Sequence, residues 1–329
     1  MTSANSPMPR VAVVGAGMAG LACASHLRDV GCDVTIYEKS RGLGGRLATR
    51  RTGDGKNFDH GVQFFTARTD EFAAMVDGSI ESGLAAPWRP RYANGTPATD
   101  NWIVGMPTMN APIKPLAEGI ETRLRTQVTA IDRAADGWRL RSSASDEDTV
   151  FDRVVITAPA PQARALLKGE ADVADRLADV SIDPCWALLV TFSSPIDPGF
   201  DLHSAPNADL SWIARNGSKP GRTDTGCDWI LHAGPDWSRR HLEREAAEVA
   251  AMMIAMFAET LSDTLPAIDY VSAHRWRFAR TSAPLGEDYL ASRDGTLFVG
   301  GDWCRGARVE FAFESGRAIA QAILDTEWV

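Results

Sequence analysis

Residues 11–51 read VAVVGAGMAGLACASHLRDVGCDVTIYEKSRGLGGRLATRR. Val11 to Val14 form a short apolar run that reads as a buried parallel strand. Gly15, Gly17 and Gly20 follow in G-x-G-x-x-G spacing, and an apolar-periodic helix is predicted from about Met18 to Val30. Gly15 permits the tight turn, Gly17 lets the backbone approach a pyrophosphate, and Gly20 lets helix and strand pack closely. Gly31 closes the helix, Val34 to Tyr37 form a second strand, and Glu38 stands at its end. A carboxylate there accepts both hydroxyls of an adenosine ribose and repels a 2′-phosphate. Strand, glycines, helix, strand and acid come in the order that dinucleotide binding requires. The stretch from Gly15 through Ala16, Gly17, Met18 and Ala19 to Gly20, with Glu38 and Lys39, is therefore assigned to the cofactor.

A second glycine-rich turn follows at Arg41-Gly42-Leu43-Gly44-Gly45-Arg46. Gly45 can close over the same pyrophosphate, with Arg46 as a charge-assisted donor. This arrangement resembles the double-glycine motif of FAD-dependent amine oxidases and their relatives, and it points to a resident FAD rather than to an NAD released at each turnover.

At 329 residues and 44% hydrophobic content, the chain can bury a large core and divide into two domains. A net charge of −9 argues against nucleic acid or an anionic membrane as partner. No apolar run reaches transmembrane length, and Met1 to Arg10 lacks a signal-peptide core, so a disordered tail and a cytoplasmic location are expected. The five cysteines form no C-x-x-C pair and read as reduced thiols, with no metal site.

Further along, RGLGGRLATRR and DHGVQFFTAR (residues 59–68) together resemble the bacterial renalases, a group of FAD enzymes in the amine-oxidase-like superfamily. The strings WIARNGSKP (212–220), WILHAGPDWSRRHL (229–242), AHRWRFAR (273–280) and GDWCRGARVEFAFESGRAIA (301–320) extend the resemblance over nearly the whole chain. The chain departs from the pattern at Phe64-Phe65 and Glu310-Phe311, where the family usually reads Tyr-Phe and Glu-Gly.

The resemblance implies an α/β fold, α+β in its second domain. A Rossmann-like FAD domain would carry an inserted mixed-sheet substrate domain, in the topology of p-hydroxybenzoate hydroxylase and the amine oxidases. The FAD domain is expected over residues 1–75, 114–172 and 287–329, and the substrate domain over 76–113 and 173–286. Gly61, Val62 and Gln63 would pass along the flavin ring and Val128 would lie against the adenine. Gly301 and Asp302 would meet the ribityl or pyrophosphate side, and a last helix opening at Arg308-Val309-Glu310 would aim its amides at the flavin pyrimidine. Asn216, His274, Trp276, Phe64 and Met106 are the substrate candidates, with no obligatory acid or base among them.

The implied reaction oxidises 1,2- and 1,6-dihydro isomers of NAD(P)H, with non-covalent FAD accepting hydride and O2 yielding hydrogen peroxide. An amine oxidase or desaturase of the same superfamily is the alternative. The expected partners are a dinucleotide substrate and O2, and the expected state is a monomer or weak dimer. Between the motifs, helices are predicted at Asp70–Ser82, Ile113–Leu124 and Arg239–Leu265, strands and loops over the Pro/Gly-rich stretch 87–113, and a hairpin around Asp136-Gly137. An alternating strand is predicted at His274–Arg280, with His274, Trp276, Phe278 and Arg280 on one face.

Overall fold

A computed structural model describes residues 8–53, 55–93, 101–144 and 149–326. The expected disordered tail up to Pro7 lies outside them, as do residues 94–100 of the Pro/Gly-rich stretch. The chain divides into two units, one of residues 1–45, 113–182 and 281–329, the other of residues 46–112 and 183–280. The first boundary falls at Gly45, so residues 46–75, expected with the dinucleotide motif, belong to the second unit, while residues 173–182 and 281–286, expected in the substrate domain, belong to the first.

The first unit is built on a six-stranded sheet with strands in the order Leu290–Ala291, Leu297–Val299, Arg153–Ile156, Arg10–Val14, Asp33–Tyr37, Glu121–Arg123. All neighbours run parallel except the Leu290–Ala291 edge. The Arg10–Val14 strand (β1) leads through Gly15 into the Met18–Asp29 helix (α1) and on to Asp33–Tyr37 (β2). Continuous apolar strands suit a sheet covered on both faces, and Val11, Ala12 and Val13 are wholly buried. Gly31, at φ +94°, ends α1: its N–H returns to the Arg28 carbonyl while the Cys32 N–H reaches Leu27. Leu21 and Leu27 are fully buried, each contributing roughly 1.5–3 kcal/mol. The Val309–Asp325 helix lies so close to α1 that a Cβ on Gly316 would sit 2.1 Å from the Ala19 carbonyl oxygen.

The predicted Ile113–Leu124 helix does not form. Pro115 removes a donor, so the chain makes 3-10 turns over Ala111–Ala117, then extends as the Glu121–Arg123 strand beside β2. The hairpin expected around Asp136-Gly137 is present, joining Val128–Ala134 to Gly137–Ser142.

The second unit holds a five-stranded sheet in the order Leu202–Ser204, Leu210–Arg215, Asp228–Ala233, Ser181–Phe192, Ile268–Ala283. Trp186, Leu188, Val190, Trp229 and Leu231 meet Val249, Met253 and Phe257 of the Ala246–Leu261 helix in its core. The long helix predicted over Arg239–Leu265 is in fact two, Pro235–Arg240 and Ala246–Leu261. Side chains capture the intervening carbonyls: the Trp186 indole donates to His241 (3.0 Å) and Arg275 to Leu242 (2.6 Å). The predicted His274–Arg280 strand runs longer, as Ile268–Ala283. Arg275 and Arg277 point outward to Glu243 while His274, Trp276 and Phe278 are half-buried, but the alternation breaks at the half-buried Ala279, and Arg280, expected on the same face, is exposed.

Candidate functional site

In the first unit the dinucleotide residues converge where β1 and β2 end. Gly15 adopts φ +110°, and its N–H donates to the Tyr37 carbonyl at 2.8 Å. A Cβ on Gly20 would fall 1.9 Å from the Gly15 carbonyl oxygen, so only glycine allows this contact between turn and helix. At Gly17 the added atom meets nothing within 4 Å. That open space lies at the N-terminus of α1, where no side chain caps the backbone and no acid occupies the first turn. Free N–H groups, a positive dipole end and room for bulk at Gly17 are what a pyrophosphate needs. Met18 and Ala19 are buried beneath this turn.

Glu38 is only 6% exposed, and its two carboxylate oxygens are divided. Oε2 accepts the Ala16 N–H at 2.9 Å and Oε1 the Ser40 N–H at 2.7 Å. Each oxygen keeps a lone pair for a ribose hydroxyl. The second glycine turn folds onto the first, the Gly44 N–H donating to the Ala16 carbonyl at 2.9 Å, with Gly45 at φ +53°. Lys39 turns aside to Gln162 (3.0 Å). Val128 is buried, and Gly301 and Asp302 lie buried ahead of the last helix. That helix begins at Val309, where the buried Glu310 pairs with Arg308 at 3.1 Å. These residues fit the adenosine, ribose and diphosphate of a dinucleotide.

The second unit assembles three rings. His60 lies 4.8 Å from His274 and 5.0 Å from Trp276, and His274 lies 4.4 Å from Trp276. The Trp276 indole N–H donates to the His60 carbonyl at 2.9 Å, which fixes the ring plane. Both imidazoles are held uncharged. Burial, then His274, Arg50 and His232, push His60 down to about 3, and burial, then Arg50, pushes His274 down to about 4. Phe64 instead stacks on Trp102 at 3.8 Å, among Trp88, Tyr92 and Trp212. The Met106 N–H donates to the Leu84 carbonyl at 2.7 Å, and its side chain lies against Gly221.

Other candidates are engaged internally. Asn216 is 3% exposed and donates to the Asn57 carbonyl at 2.7 Å while accepting the Asp59 N–H at 3.5 Å, so it pins residues 57–59. Arg46 donates to the Ala279 carbonyl (3.1 Å), its own carbonyl accepts the Val62 N–H (2.9 Å), and a Cβ on Gly61 would strike that carbonyl. Gln63 donates to the Asp59 and Gly61 carbonyls.

Sequence reasoning missed a buried ionic cluster. Asp59 and Lys219 are wholly buried side chains and Arg222 is nearly so. The Asp59 carboxylate takes Lys219 at 3.4 Å and a closer contact from Arg222, and also accepts from the Thr49 hydroxyl and the Met109 N–H. Burial alone would raise the Asp59 pKa, but the two cations hold it below the usual carboxylate range. Burial, with Arg222, lowers Lys219 to about 8 against the pull of Asp59. A lysine in the polar turn Asn216–Pro220 carries no sequence mark of burial; a quoted motif that closes on Ser-Lys-Pro was the one available signal. Among the described residues no group of His, Cys, Asp or Glu is arranged to hold a metal, and no helix is long and apolar enough to cross a membrane.

Residues 13–78 match an NAD(P)-binding Rossmann-like domain, and residues 96–324 match the flavin-containing amine oxidoreductase model. The chain is 24% identical to the mouse (Mus musculus) protein Renalase over 307 residues, covering 85% of this chain and 87% of that one. Among solved structures, one assigned to a protoporphyrinogen oxidase from Exiguobacterium sp. 255-15 superposes with a TM-score of 0.76 at 15% identity, covering 98% of this chain and 99% of the other. Cyclohexylamine oxidase from Brevibacterium oxydans IH-35A gives 0.71 at 14%, covering 96% and 99%. Those two likenesses establish the expected fold. The cofactor is FAD, and the protein is an FAD-dependent oxidoreductase. With the cradle and the family match in place, the chain belongs to the flavin-containing amine oxidoreductases.

Proposed function

We propose that this protein oxidises the 1,2- and 1,6-dihydro isomers of NAD(P)H to NAD(P)+, with FAD as hydride acceptor and O2 reduced to hydrogen peroxide. When bound, FAD supplies a two-electron acceptor that O2 can regenerate. The likeness to Renalase over most of both chains supports the substrate class. The observation that carries the reading is the ring cluster of His60, His274 and Trp276, with its imidazoles kept neutral.

A dihydronicotinamide expels hydride with its own ring-nitrogen lone pair, and nothing must be deprotonated. The protein's task is to hold a flat ring in one orientation and to accept growing positive charge. Flat, uncharged walls do both, since an aromatic face attracts a cation and a protonated imidazole would repel it. An amine substrate must instead lose a proton, and a tuned base helps it do so. A cytoplasmic setting, without membrane or nucleic-acid partners, belongs to the same reading.

The test is steady-state oxygen consumption with isomerised NADH against a panel of amines. Turnover with the isomers alone, at a limiting rate that changes less than about threefold from pH 6 to 9, is expected. Turnover of amines, with a rate that falls about tenfold per pH unit on the acid side, would replace this reading with an amine oxidase.

A further inference from the structure

Two buried cations, Lys219 and Arg222, share the single carboxylate of Asp59. Arg222 suffices for charge balance: its Nη2 makes the closer contact and its Nη1 donates to the Gly105 and Pro220 carbonyls. Lys219 is therefore a surplus buried charge, and such a group is a liability to the fold. Its surroundings show what it acts on. The ammonium donates to Gln63 Oε1 at 3.0 Å and rests 5.4 Å from the Trp88 ring centre.

An ammonium only donates, so it fixes which end of the Gln63 amide faces it. The amide nitrogen is thereby turned to the Asp59 and Gly61 carbonyls, bracketing His60 on both sides. The His60 carbonyl, held between them, receives the Trp276 indole at 2.9 Å and His232 Nε2 at 3.2 Å. His232 is itself kept neutral, at about 4, by burial and by the Lys219 charge. Its Nε2 lies 3.4 Å from the Gln63 amide nitrogen. A flipped amide would turn its oxygen on two carbonyls and its NH2 on an ammonium.

We propose that Lys219 is a positioning residue that, through Gln63 and the Asp59–Gly61 turn, sets the orientation of Trp276 and His60 for the substrate. Its value as a substrate-positioning group rests on the function proposed above. The device itself is a property of this unit alone.

Two substitutions in the FAD-loaded enzyme separate this role from bulk support. Lys219→Met removes the surplus charge and leaves the Asp59–Arg222 pair matched. Gln63→Glu balances the charge and keeps an acceptor for Lys219, but has no N–H for the Asp59 and Gly61 carbonyls. Lys219→Met should keep the wild-type melting temperature or exceed it, while Gln63→Glu, whose second oxygen faces the Asp59 and Gly61 carbonyls, should melt lower. Both should nonetheless raise KM for the dihydro isomers about tenfold with kcat within about threefold. The Trp276 indole N–H resonance, assigned with Trp276→Phe, should move in each, as should the ring signals of His232. Wild-type KM with unmoved resonances, or in Lys219→Met a KM change that appears only alongside a matching loss of thermal stability, would overturn the proposal. Should the wild-type enzyme turn over no dihydro isomer, the function reading fails, while the resonances still decide the role of Lys219.

Discussion

Replacing Glu38 tests the dinucleotide cradle most directly, because its two oxygens have separate duties. Oε2 serves the Ala16 N–H and Oε1 the Ser40 N–H. Glutamine keeps one acceptor oxygen and must turn its NH2 on one of the two donors. The Ala16 contact is buried and the Ser40 contact only partly so, which means the substituted amide would keep Ala16 and abandon Ser40. A buried donor left unsatisfied costs about 1–3 kcal/mol, so Glu38→Gln should destabilise the apoprotein by about 1–2 kcal/mol and Glu38→Ala, which abandons both, by about 2–4 kcal/mol. FAD loses a charged acceptor in either variant, worth about 1.5–3 kcal/mol, and its Kd should rise by about 10- to 150-fold. Urea unfolding of the apoprotein followed by tryptophan fluorescence gives the first quantity, and flavin fluorescence quenching the second. An alanine variant that unfolds at the wild-type urea concentration, or one that binds FAD unchanged, would refute the reasoning.

Gly17→Ala and Gly20→Ala should part company. The first places a methyl group in open space and should leave apoprotein unfolding unchanged while weakening FAD binding more than tenfold; the second drives a methyl group into the Gly15 carbonyl and should prevent folding, as circular dichroism would show. His60 and His232 stay neutral in the fold at about 3 and 4, whereas a free histidine takes a proton near 6.5. Below pH 6.5 the unfolded chain thus binds more protons, stability falls with pH, and each buried histidine should cost about 2 kcal/mol by pH 5. The urea midpoint measured from pH 7 to 5 checks this, and His232→Asn should flatten the slope by about one proton. Asn216→Ala should lower the melting temperature and leave FAD content normal, since its amide ties residues 57 and 59. A variant with wild-type melting and altered KM alone would restore Asn216 to the pocket. The flavin should leave the protein on acid precipitation, the colour passing to the supernatant; colour retained in the pellet would mean a covalent link.

The first unit was legible because its information is local. Glycine spacing, one apolar strand, one apolar-periodic helix and an acid follow each other within 28 residues, from Val11 to Glu38. The second unit resists such reading, since its sheet is assembled from segments between Ser181 and Ala283 that pair out of order. Helix periodicity continued past Arg240, but the Trp186 and Arg275 side chains had claimed the next carbonyls. His274 and Trp276 were visible as one face of an alternating strand, and the structure brings their rings together. Asn216 and Gln63 were expected as ligand contacts through the family resemblance. Their amides are spent on backbone groups and, for Gln63, on the Lys219 ammonium, partners that no sequence places beside them.

The order of strands in the parallel sheet carries a consequence for biosynthesis. β1 has β2 as a partner almost at once, but its other neighbour is Arg153–Ile156, and the next strand out is Leu297–Val299. The helix that covers α1 meets Ala19 through Gly316, far along the chain from it. Ribosomes add about 5–20 residues per second, so roughly 300 residues separate these partners by about 15–60 s. For that interval the nascent chain shows an open strand edge and the apolar side of α1 to solvent and chaperones. Of the segments in this sheet the dinucleotide segment is made first and covered last, and its cradle is complete only once the Val309–Asp325 helix has been made.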